Sequence, residues 1–275
     1  MINNNNNKDD KELGVFDNIS NKYREISTVQ QKAAENLLDI LKIGETDSVI
    51  DIGCGTGHIT QLINNITRGR VVGIDISEGM INNAKASYQG IEFRQIAAED
   101  IDYDNEFDIA FCNSVLPWFN DPNKVMRNIF NLLKNGGRLG LACPATYNWA
   151  QWIDRITSKV AQREDVKHIF SYWKDPWFRL PTENDYKIFF EKCGFKTVVM
   201  NIEYEQGNYS VEKAFDIYLT GPANGYTGKK YYSVQIDDNY ISTFNNAVRD
   251  EFKNQSEDGS VKIDFNRLYY IGKKI

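Results

Sequence analysis

The chain has 275 residues, which is ample for one large domain to bury a core without disulfides. Lysine and arginine total 32 against 38 aspartates and glutamates, so the formal net charge is −6 and the basic surface of a general nucleic-acid binder is lacking. Two histidines and four scattered cysteines argue against a multi-histidine metal site and a CxxC knuckle, so no metal is expected.

An asparagine run from Asn3 to Asn7 dominates the N-terminus and is followed by mixed charges. Such a segment cannot bury enough apolar surface to offset its ordering entropy, so residues 1–13 are predicted to be a disordered tail. No apolar stretch reaches the length of about 18 residues that spans a bilayer, and the start lacks a signal-peptide pattern. Because each cysteine lies in or beside an apolar run, we expect a cytoplasmic protein with reduced thiols and no membrane partner.

Strand and helix patterns alternate over the first half of the chain. Apolar positions at helical spacing predict a helix over 27–42. Short apolar runs predict strands over 48–52, 70–75, 91–94, 107–113 and 138–143, with helices between them. Ser77 and Asp121 are predicted N-caps for two of these helices. This alternation predicts a doubly wound, mostly parallel α/β sheet.

The pattern changes after Pro144. Helices are predicted over 145–170, 182–193, 210–220 and 238–254, with a loop rich in tryptophan and proline over 171–182. Strands over 195–205 and 261–271 bring the predicted sheet to seven strands, in a Rossmann-like fold. We interpret residues 14–275 as a single domain, divided into an N-terminal helical cap over 14–45, a core over 46–144, and cap insertions over 145–193 and 207–256.

A glycine-rich turn, Gly53-Cys54-Gly55-Thr56-Gly57, follows the first strand, where ligands of open α/β sheets bind. His58 stands where the dinucleotide fingerprint GxGxxG requires glycine, and no GK[ST] follows, so neither a dinucleotide site nor a P-loop is predicted. Asp51 before the turn suits an ammonium group rather than a pyrophosphate, and Asp75 after the next strand can accept hydrogen bonds from ribose hydroxyls. S-adenosylmethionine combines an amino acid with a ribose and an adenine.

The segment VIDIGCGTG at 49–57 resembles motif I of the class I S-adenosylmethionine-dependent methyltransferases. Further segments of that family follow in order over roughly 27–145: GIDIS at 73–77, AEDI at 98–101, FDIA at 107–110 and LLKNGG at 132–137. The resemblance implies a methyltransferase that uses S-adenosyl-L-methionine and releases S-adenosyl-L-homocysteine.

The resemblance also implies roles for individual residues. It places Asp51, Gly53, Cys54 and Gly55 around the methionine moiety, and Asp75 at the ribose. Ile76 packs on the adenine with Ala98 and Glu99 at its rim, and Asn113 completes the cofactor-binding set. The family often carries an acidic residue just before the position of Ala98, for the adenine amino group; here that residue is Ala97, and Glu99 is the substitute.

The N-terminal segment Phe16-Asp17-x-x-Ser20-x-x-Tyr23, followed by Val29-Gln30, is similar to the cap of carboxyl methyltransferases that act on trans-aconitate or on malonyl-carrier protein. By this resemblance, Tyr23 closes over the cofactor and Gln30 lies near it. The alternative is that Tyr23 simply packs against the helix over 27–42.

Eight aromatic residues fall within 147–178, including four of the five tryptophans. They indicate an acceptor pocket or the core between cap helices. The same segment contains Arg155 and Arg163 and is followed by Arg179, any of which could hold a carboxylate by a bidentate pair. The acceptor-site candidates are Tyr23, Trp118, Trp149 and Arg179, while the catalytic residues are unknown.

Neither His58 nor His168 lies in an arrangement typical of a general base. A carboxylate acceptor needs none, which favours carboxyl O-methylation of a small molecule. N-, C- or O-methylation of a natural product or lipid precursor stays open, and so does a non-catalytic S-adenosylmethionine-binding protein. No nucleic-acid partner is expected, and the chain is either a monomer or a homodimer.

Overall fold

Seven strands form one sheet in the computed structural model, which describes residues 27–275 of the chain. The predicted tail over 1–13 and the candidate Tyr23 lie outside the described residues. The strands are β1 (Val49–Ile52), β2 (Val71–Asp75), β3 (Glu92–Gln95), β4 (Phe107–Asn113), β5 (Leu133–Pro144), β6 (Phe195–Ser210) and β7 (Ser260–Lys274).

Helices connect the strands of this sheet. They are α1 (Thr28–Leu41), α2 (His58–Ile66), α3 (Glu78–Ser87), α4 (Pro122–Leu132), α5 (Gln151–Val160), α6 (Lys167–Phe170), α7 (Glu183–Lys192), α8 (Val211–Leu219), α9 (Pro222–Thr227) and α10 (Asp238–Asn254). Single turns of 3₁₀ helix lie at Ala98–Asp100, Leu116–Trp118 and Lys229–Tyr231. Ser77 and Asp121 cap α3 and α4 as predicted, each accepting a hydrogen bond from a backbone N–H of the first turn.

The strand order is β3-β2-β1-β4-β5-β7-β6, with β7 antiparallel to both of its neighbours and the other pairs parallel. The chain runs outward from β1 through β2 to β3, then returns to β4 on the other side of β1. The gap between β1 and β4 is therefore the topological switch point, where open α/β sheets bind ligands. The predicted seven-stranded, mostly parallel Rossmann-like sheet is confirmed.

Both faces of the sheet are covered. Val49 of β1 packs with α1 residues such as Leu37, whereas the next residue, Ile50, packs with α4 residues such as Ile129. Successive side chains of a strand point to opposite faces, so α1 and α4 lie on opposite sides. This arrangement explains why every residue of β1 is buried and why the strand is apolar apart from Asp51.

The helices α5, α6, α8, α9 and α10, here called the helical layer, form a second core with the start of β7. Trp152, Phe244 and Phe252 are among its fully buried side chains. Helix α7 lies within the segment interpreted as the first cap insertion, but it packs on the sheet: its Phe190 ring stacks on Tyr270 with ring centroids 4.0 Å apart. The division of the chain into cap and core stays an interpretation.

The bounds of the later elements differ from the sequence-based expectation. The antiparallel arm of β6 and β7 extends well beyond 205 and 271, and β5 begins at Leu133 instead of residue 138. The unexpected residues at the end of β6, 206–210, are mostly polar and include Gly207, because β6 is the edge strand and alternates between half-buried and exposed positions. None of the helices within residues 27–275 is long and apolar enough to cross a membrane.

Candidate functional site

A cleft of about 710 Å³ opens at the carboxyl ends of β1, β2 and β4. The register explains its position, since Ile52 at the end of β1 lies opposite Ile74 of β2 and Cys112 of β4. Ten of the predicted cofactor residues line this one cleft: Gln30, Asp51, Gly53, Cys54, Gly55, Asp75, Ile76, Ala98, Glu99 and Asn113. The eleventh, Tyr23, lies outside the described residues.

The turn after β1 takes a shape that requires glycine. Gly53, Gly55 and Gly57 all have positive φ angles, of 75°, 54° and 81°. The Gly53 N–H donates to the Ile74 carbonyl at 2.8 Å, which holds the turn against β2. A Cβ atom on Gly53 would overlap Cγ1 of Val115, so this position has neither the backbone angle nor the space for a side chain.

Asp75 connects this turn to the start of α3. Its Oδ2 accepts from the Gly55 N–H at 2.9 Å, and its Oδ1 accepts from the Ser77 N–H at 2.8 Å. Each carboxylate oxygen has two lone pairs and can accept more than one hydrogen bond. Asp75 therefore has a structural role at the strand end as well as a place in the cleft wall.

Asp51 is a buried carboxyl in the floor of the cleft, only 3% exposed. The Thr60 hydroxyl donates to its Oδ2 at 2.7 Å. Burial raises the pKa of Asp51 from 3.8 to about 7; the Thr60 hydrogen bond opposes this rise and the nearby charge of Asp75 adds to it. A cation placed beside Asp51 would favour its ionised form.

Three buried oxygens at the end of β4 find no hydrogen-bond partner among residues 27–275: Oε1 of Gln30, Oδ1 of Asn113 and Oγ of Ser114. Their residues are fixed by other bonds. The Asn113 amide donates to the Gln30 carbonyl at 3.0 Å, and the Gln30 amide donates to the Thr220 carbonyl and hydroxyl, both at 3.2 Å. Because unpaired buried polar atoms are rare in folded proteins, these oxygens indicate a ligand-binding wall.

The opposite end of the cleft is more open. Ile76 is 66% exposed, an unusual position for a large apolar side chain unless a ligand covers it. Glu99 Oε1 accepts from the Asn120 N–H at 2.9 Å, so the predicted substitute for an adenine contact also holds a neighbouring loop.

A second cavity, of about 70 Å³, adjoins the cleft and shares Gln30, Ser114 and Trp118 with it. The predicted acceptor candidates Trp118, Trp149 and Arg179 all line this small cavity. The Trp177 ring contacts both Trp118 and Trp149, with centroid distances of 5.9 and 5.8 Å.

The aromatic-rich segment divides between the lining of the small cavity and the packing of the helical layer. Trp149 and Trp177 line the small cavity, whereas Trp152 and Phe170 pack inside the helical layer. Tyr147, in contrast, is 60% exposed. The excess of aromatics is thus mainly structural, and only part of it forms a ligand-sized cavity.

Of the three candidate arginines, only Arg179 lines the small cavity, and the other two form ion pairs elsewhere. Arg155 pairs with Asp264 at 3.8 Å and Arg163 with Asp165 at 3.0 Å, and neither lines the cleft or the small cavity. Arg179 does line the small cavity, where its guanidinium pairs with Asp175.

Two polar residues of the site were missed by sequence reasoning. Arg267 of β7 lines the small cavity and is only 1% exposed. Asn224 of α9 lines the cleft at 5% exposure, and both of its amide atoms find no hydrogen-bond partner within the described residues. Neither carries a local motif, and α9 itself, with Pro222 and Gly225, was not expected to be helical.

The histidines take separate positions. His58 lines the cleft at the start of α2, whereas His168 lies on α6 and lines neither cavity. Within residues 27–275 no group of three or more histidine, cysteine, aspartate or glutamate side chains is placed to hold a metal ion.

Comparison of the sequence with known proteins assigns the chain to a family. A family described as "Methyltransferase domain" matches residues 43–207. Protein 235L of Invertebrate iridescent virus 6, which is named as a methyltransferase, is 31% identical over 187 residues, covering 66% of this chain and 69% of that protein.

Two shorter matches have more specific names. The malonyl-[acyl-carrier protein] O-methyltransferase of Acetivibrio thermocellus is 30% identical over 132 residues, covering 46% of this chain and 47% of that enzyme. The trans-aconitate 2-methyltransferase of Azoarcus sp. is 28% identical over 127 residues, covering 46% and 50%. The match thus spans about half the length of these two relatives.

The fold comparison agrees with the sequence comparison. A crystal structure described as a methyltransferase of Bacillus halodurans C-125 superposes with a TM-score of 0.58 at 17% identity, covering 88% of this chain and 99% of that one. At this identity the similarity shows the fold alone. Together with the family match, it confirms the class I resemblance: the chain belongs to the methyltransferase-domain family and is an S-adenosylmethionine-dependent methyltransferase.

Proposed function

We propose that the protein methylates a carboxylate of a small acid. The observation that carries this proposal is the small cavity of about 70 Å³, lined by tryptophans and two guanidinium groups, which shares a wall with the cleft. Aromatic walls exclude water, and guanidinium groups recognise carboxylates. The relatives named for malonyl-carrier protein and trans-aconitate support the same class of acceptor, since both names contain a carboxylic acid.

In this proposal S-adenosylmethionine occupies the cleft above the glycine turn. Asp51, Gly53, Cys54 and Gly55 surround its methionine end, with the Asp51 carboxylate facing the ammonium group. The ribose hydroxyls donate to Asp75. The unpartnered oxygens of Gln30 and Asn113 make this wall suited to a polar ligand.

The adenine end is proposed to lie on the open side of the cleft. There Ile76 would pack against the ring, which explains the exposure of its side chain in the protein alone. Ala98 and Glu99 would form the rim. Tyr23, outside the described residues, stays a prediction for the cover of this site.

When bound, the cofactor supplies an electrophilic methyl group on a sulfonium, and in-line transfer of that methyl leaves a neutral thioether. An ionised carboxylate already holds the attacking electron pair, so the protein has no proton to remove. Its task is to orient the acid and to keep water from the reacting groups. Trp118 and Trp149 are proposed to exclude water, and Arg179 to help hold the acid in the small cavity.

Replacing Gly53 by alanine tests the position of the cofactor. The added Cβ would overlap Val115 and push the turn into the cleft, so Gly53→Ala should lose measurable affinity for S-adenosylhomocysteine by calorimetry. Gly90→Ala is the matched control: Gly90 also has a positive φ, of 86°, but no atom lies within 4 Å of the added Cβ. That variant should bind as the wild type does, and equal affinity in both variants would contradict the proposed position.

The raised pKa of Asp51 predicts a pH dependence of cofactor binding. Below about pH 7 the carboxyl is protonated and must ionise to pair with an ammonium group. Affinity for S-adenosylhomocysteine should therefore fall as pH drops below 7, by up to about tenfold per unit. Asp51→Asn should bind at least about tenfold more weakly at neutral pH and show no such dependence.

Stability of the ligand-free protein should change in the opposite sense. Because the folded protein raises the pKa of Asp51 from 3.8 to about 7, this carboxyl contributes stability that is fully present below pH 3.8 and is lost as pH rises from there to about 7. Asp51→Asn keeps the Thr60 hydrogen bond without titrating, so its melting temperature relative to the wild type should increase between pH 5.5 and pH 8. A constant difference, or unaltered cofactor affinity in Asp51→Asn, would remove Asp51 from the proposed role.

The reaction itself is tested with methyl-labelled cofactor against small carboxylic acids, carrier-protein thioesters, their amides, amines and phenols. A methyl ester releases labelled methanol in mild base, whereas N-, C- and ether-linked methyl groups do not. We expect base-labile label on acids and none on the matching amides, with Gly53→Ala as the inactive control. Base-stable label on amines or phenols would refute carboxyl transfer, and no transfer to any acceptor would refute catalysis of this class.

A further inference from the structure

The small cavity is lined by a buried arginine, two of whose nitrogen atoms have no hydrogen-bond partner within residues 27–275. Arg267 is only 1% exposed, and its Nε and Nη1 atoms find no hydrogen-bond partner among the described residues. Its ion pair with Glu205 joins Nε to Oε2 at 3.6 Å, which is too long for a hydrogen bond. A buried guanidinium in this state is costly unless a ligand completes its bonds.

The surroundings of Arg267 fix its position. The Tyr269 hydroxyl donates to Glu205 Oε1 at 3.0 Å, and the Asn36 amide donates to the Tyr269 hydroxyl at 3.2 Å. These two hydrogen bonds hold Glu205 beside Arg267. The ion pair with Glu205 therefore positions the guanidinium, while Nε and Nη1 stay without hydrogen-bond partners among the described residues. Glu205 is a positioning residue in this arrangement.

Arg179, the other guanidinium of the cavity, is already engaged. It pairs with Asp175 and lies over the Trp177 ring at 5.4 Å from the centroid. Only its Nε lacks a partner within residues 27–275, whereas Arg267 has two such atoms. Of the two, Arg267 is the better anion-binding group, and Arg179 contributes mainly to the wall.

We propose that Arg267 binds the carboxylate of the methyl acceptor, an inference that rests on the proposed function and names the residue that selects its substrate class. A carboxylate has about four lone-pair directions, so a bidentate pair with Arg267 leaves two for attack on the methyl group. At about 70 Å³ the cavity admits a carboxylate on a short stem, next to the wall at Gln30, Ser114 and Trp118 that it shares with the cleft.

Binding of propionate to the protein saturated with S-adenosylhomocysteine tests this proposal. Tryptophan fluorescence reports on the cavity, because Trp149 and Trp177 line it. Propionate should bind saturably and propionamide, its neutral equivalent in shape, at least about tenfold more weakly. Arg267→Met should weaken propionate binding by at least about tenfold. Arg267→Lys should have an intermediate effect, because lysine keeps the positive charge but cannot donate two parallel hydrogen bonds to one carboxylate.

Two further variants control for folding. Arg155→Met removes an arginine that lines neither cavity and should bind propionate as the wild type does. Because Arg267→Met leaves Glu205 without its ion pair, the double variant Glu205→Gln/Arg267→Met removes both charges and decides the question if the single variant does not fold. Affinity for S-adenosylhomocysteine should be unchanged in each folded variant.

The outcomes separate this inference from the proposed function. Equal binding of propionate and propionamide, or wild-type propionate affinity in a folded variant that lacks Arg267, overturns the assignment. A loss of propionate binding in a folded variant that lacks Arg267 supports the assignment of Arg267. If no methyl ester forms in the activity assay, it is the proposed carboxyl methylation that fails, and the carboxylate-binding site stands. If acids are methylated and their KM is unchanged without Arg267, the function stands and this inference is wrong.

Discussion

The site depends on the parallel register of β1 with β2 and β4. Because Ile52 is level with Ile74 and Cys112, three strands end at one edge, and the residues that follow them face a common cleft. The half-buried carboxylate of Asp75 then secures this edge through bonds to the backbone N–H groups of Gly55 and Ser77. A change of register in any of the three strands would separate the glycine turn from Asp75 and Asn113.

The other half of the site comes from the far end of the chain. The antiparallel strand β7 places Arg267 opposite Pro144 of β5, beside the same edge of the sheet. Helix α1 closes the arrangement, since Gln30 bonds to Asn113 on the sheet and to Thr220 at the end of α8. The wall between the cleft and the small cavity thus joins three distant parts of the sequence, and it is there that the proposed function places the meeting of cofactor and acceptor.

The first half of the fold could be read from the sequence because its strands are short, apolar and buried on both faces. The residues that line the cleft could be read as well, since a glycine turn, a strand-end carboxylate and their spacing are local features. The length of β6 could not, because its last five residues, 206–210, are mostly polar and include a glycine, as in a solvated loop. Arg267 could not be found either: it lies more than 200 residues from the glycine turn, and only tertiary packing buries it.

A crystal structure of the protein with S-adenosylhomocysteine and propionate tests the central claim, that the shared wall brings cofactor and acid together. The account predicts the thioether sulfur of the cofactor at the wall formed by Gln30, Ser114 and Trp118, with the propionate carboxylate on the Arg267 guanidinium. A sulfur atom directed away from that wall, or propionate bound outside the small cavity, would contradict it.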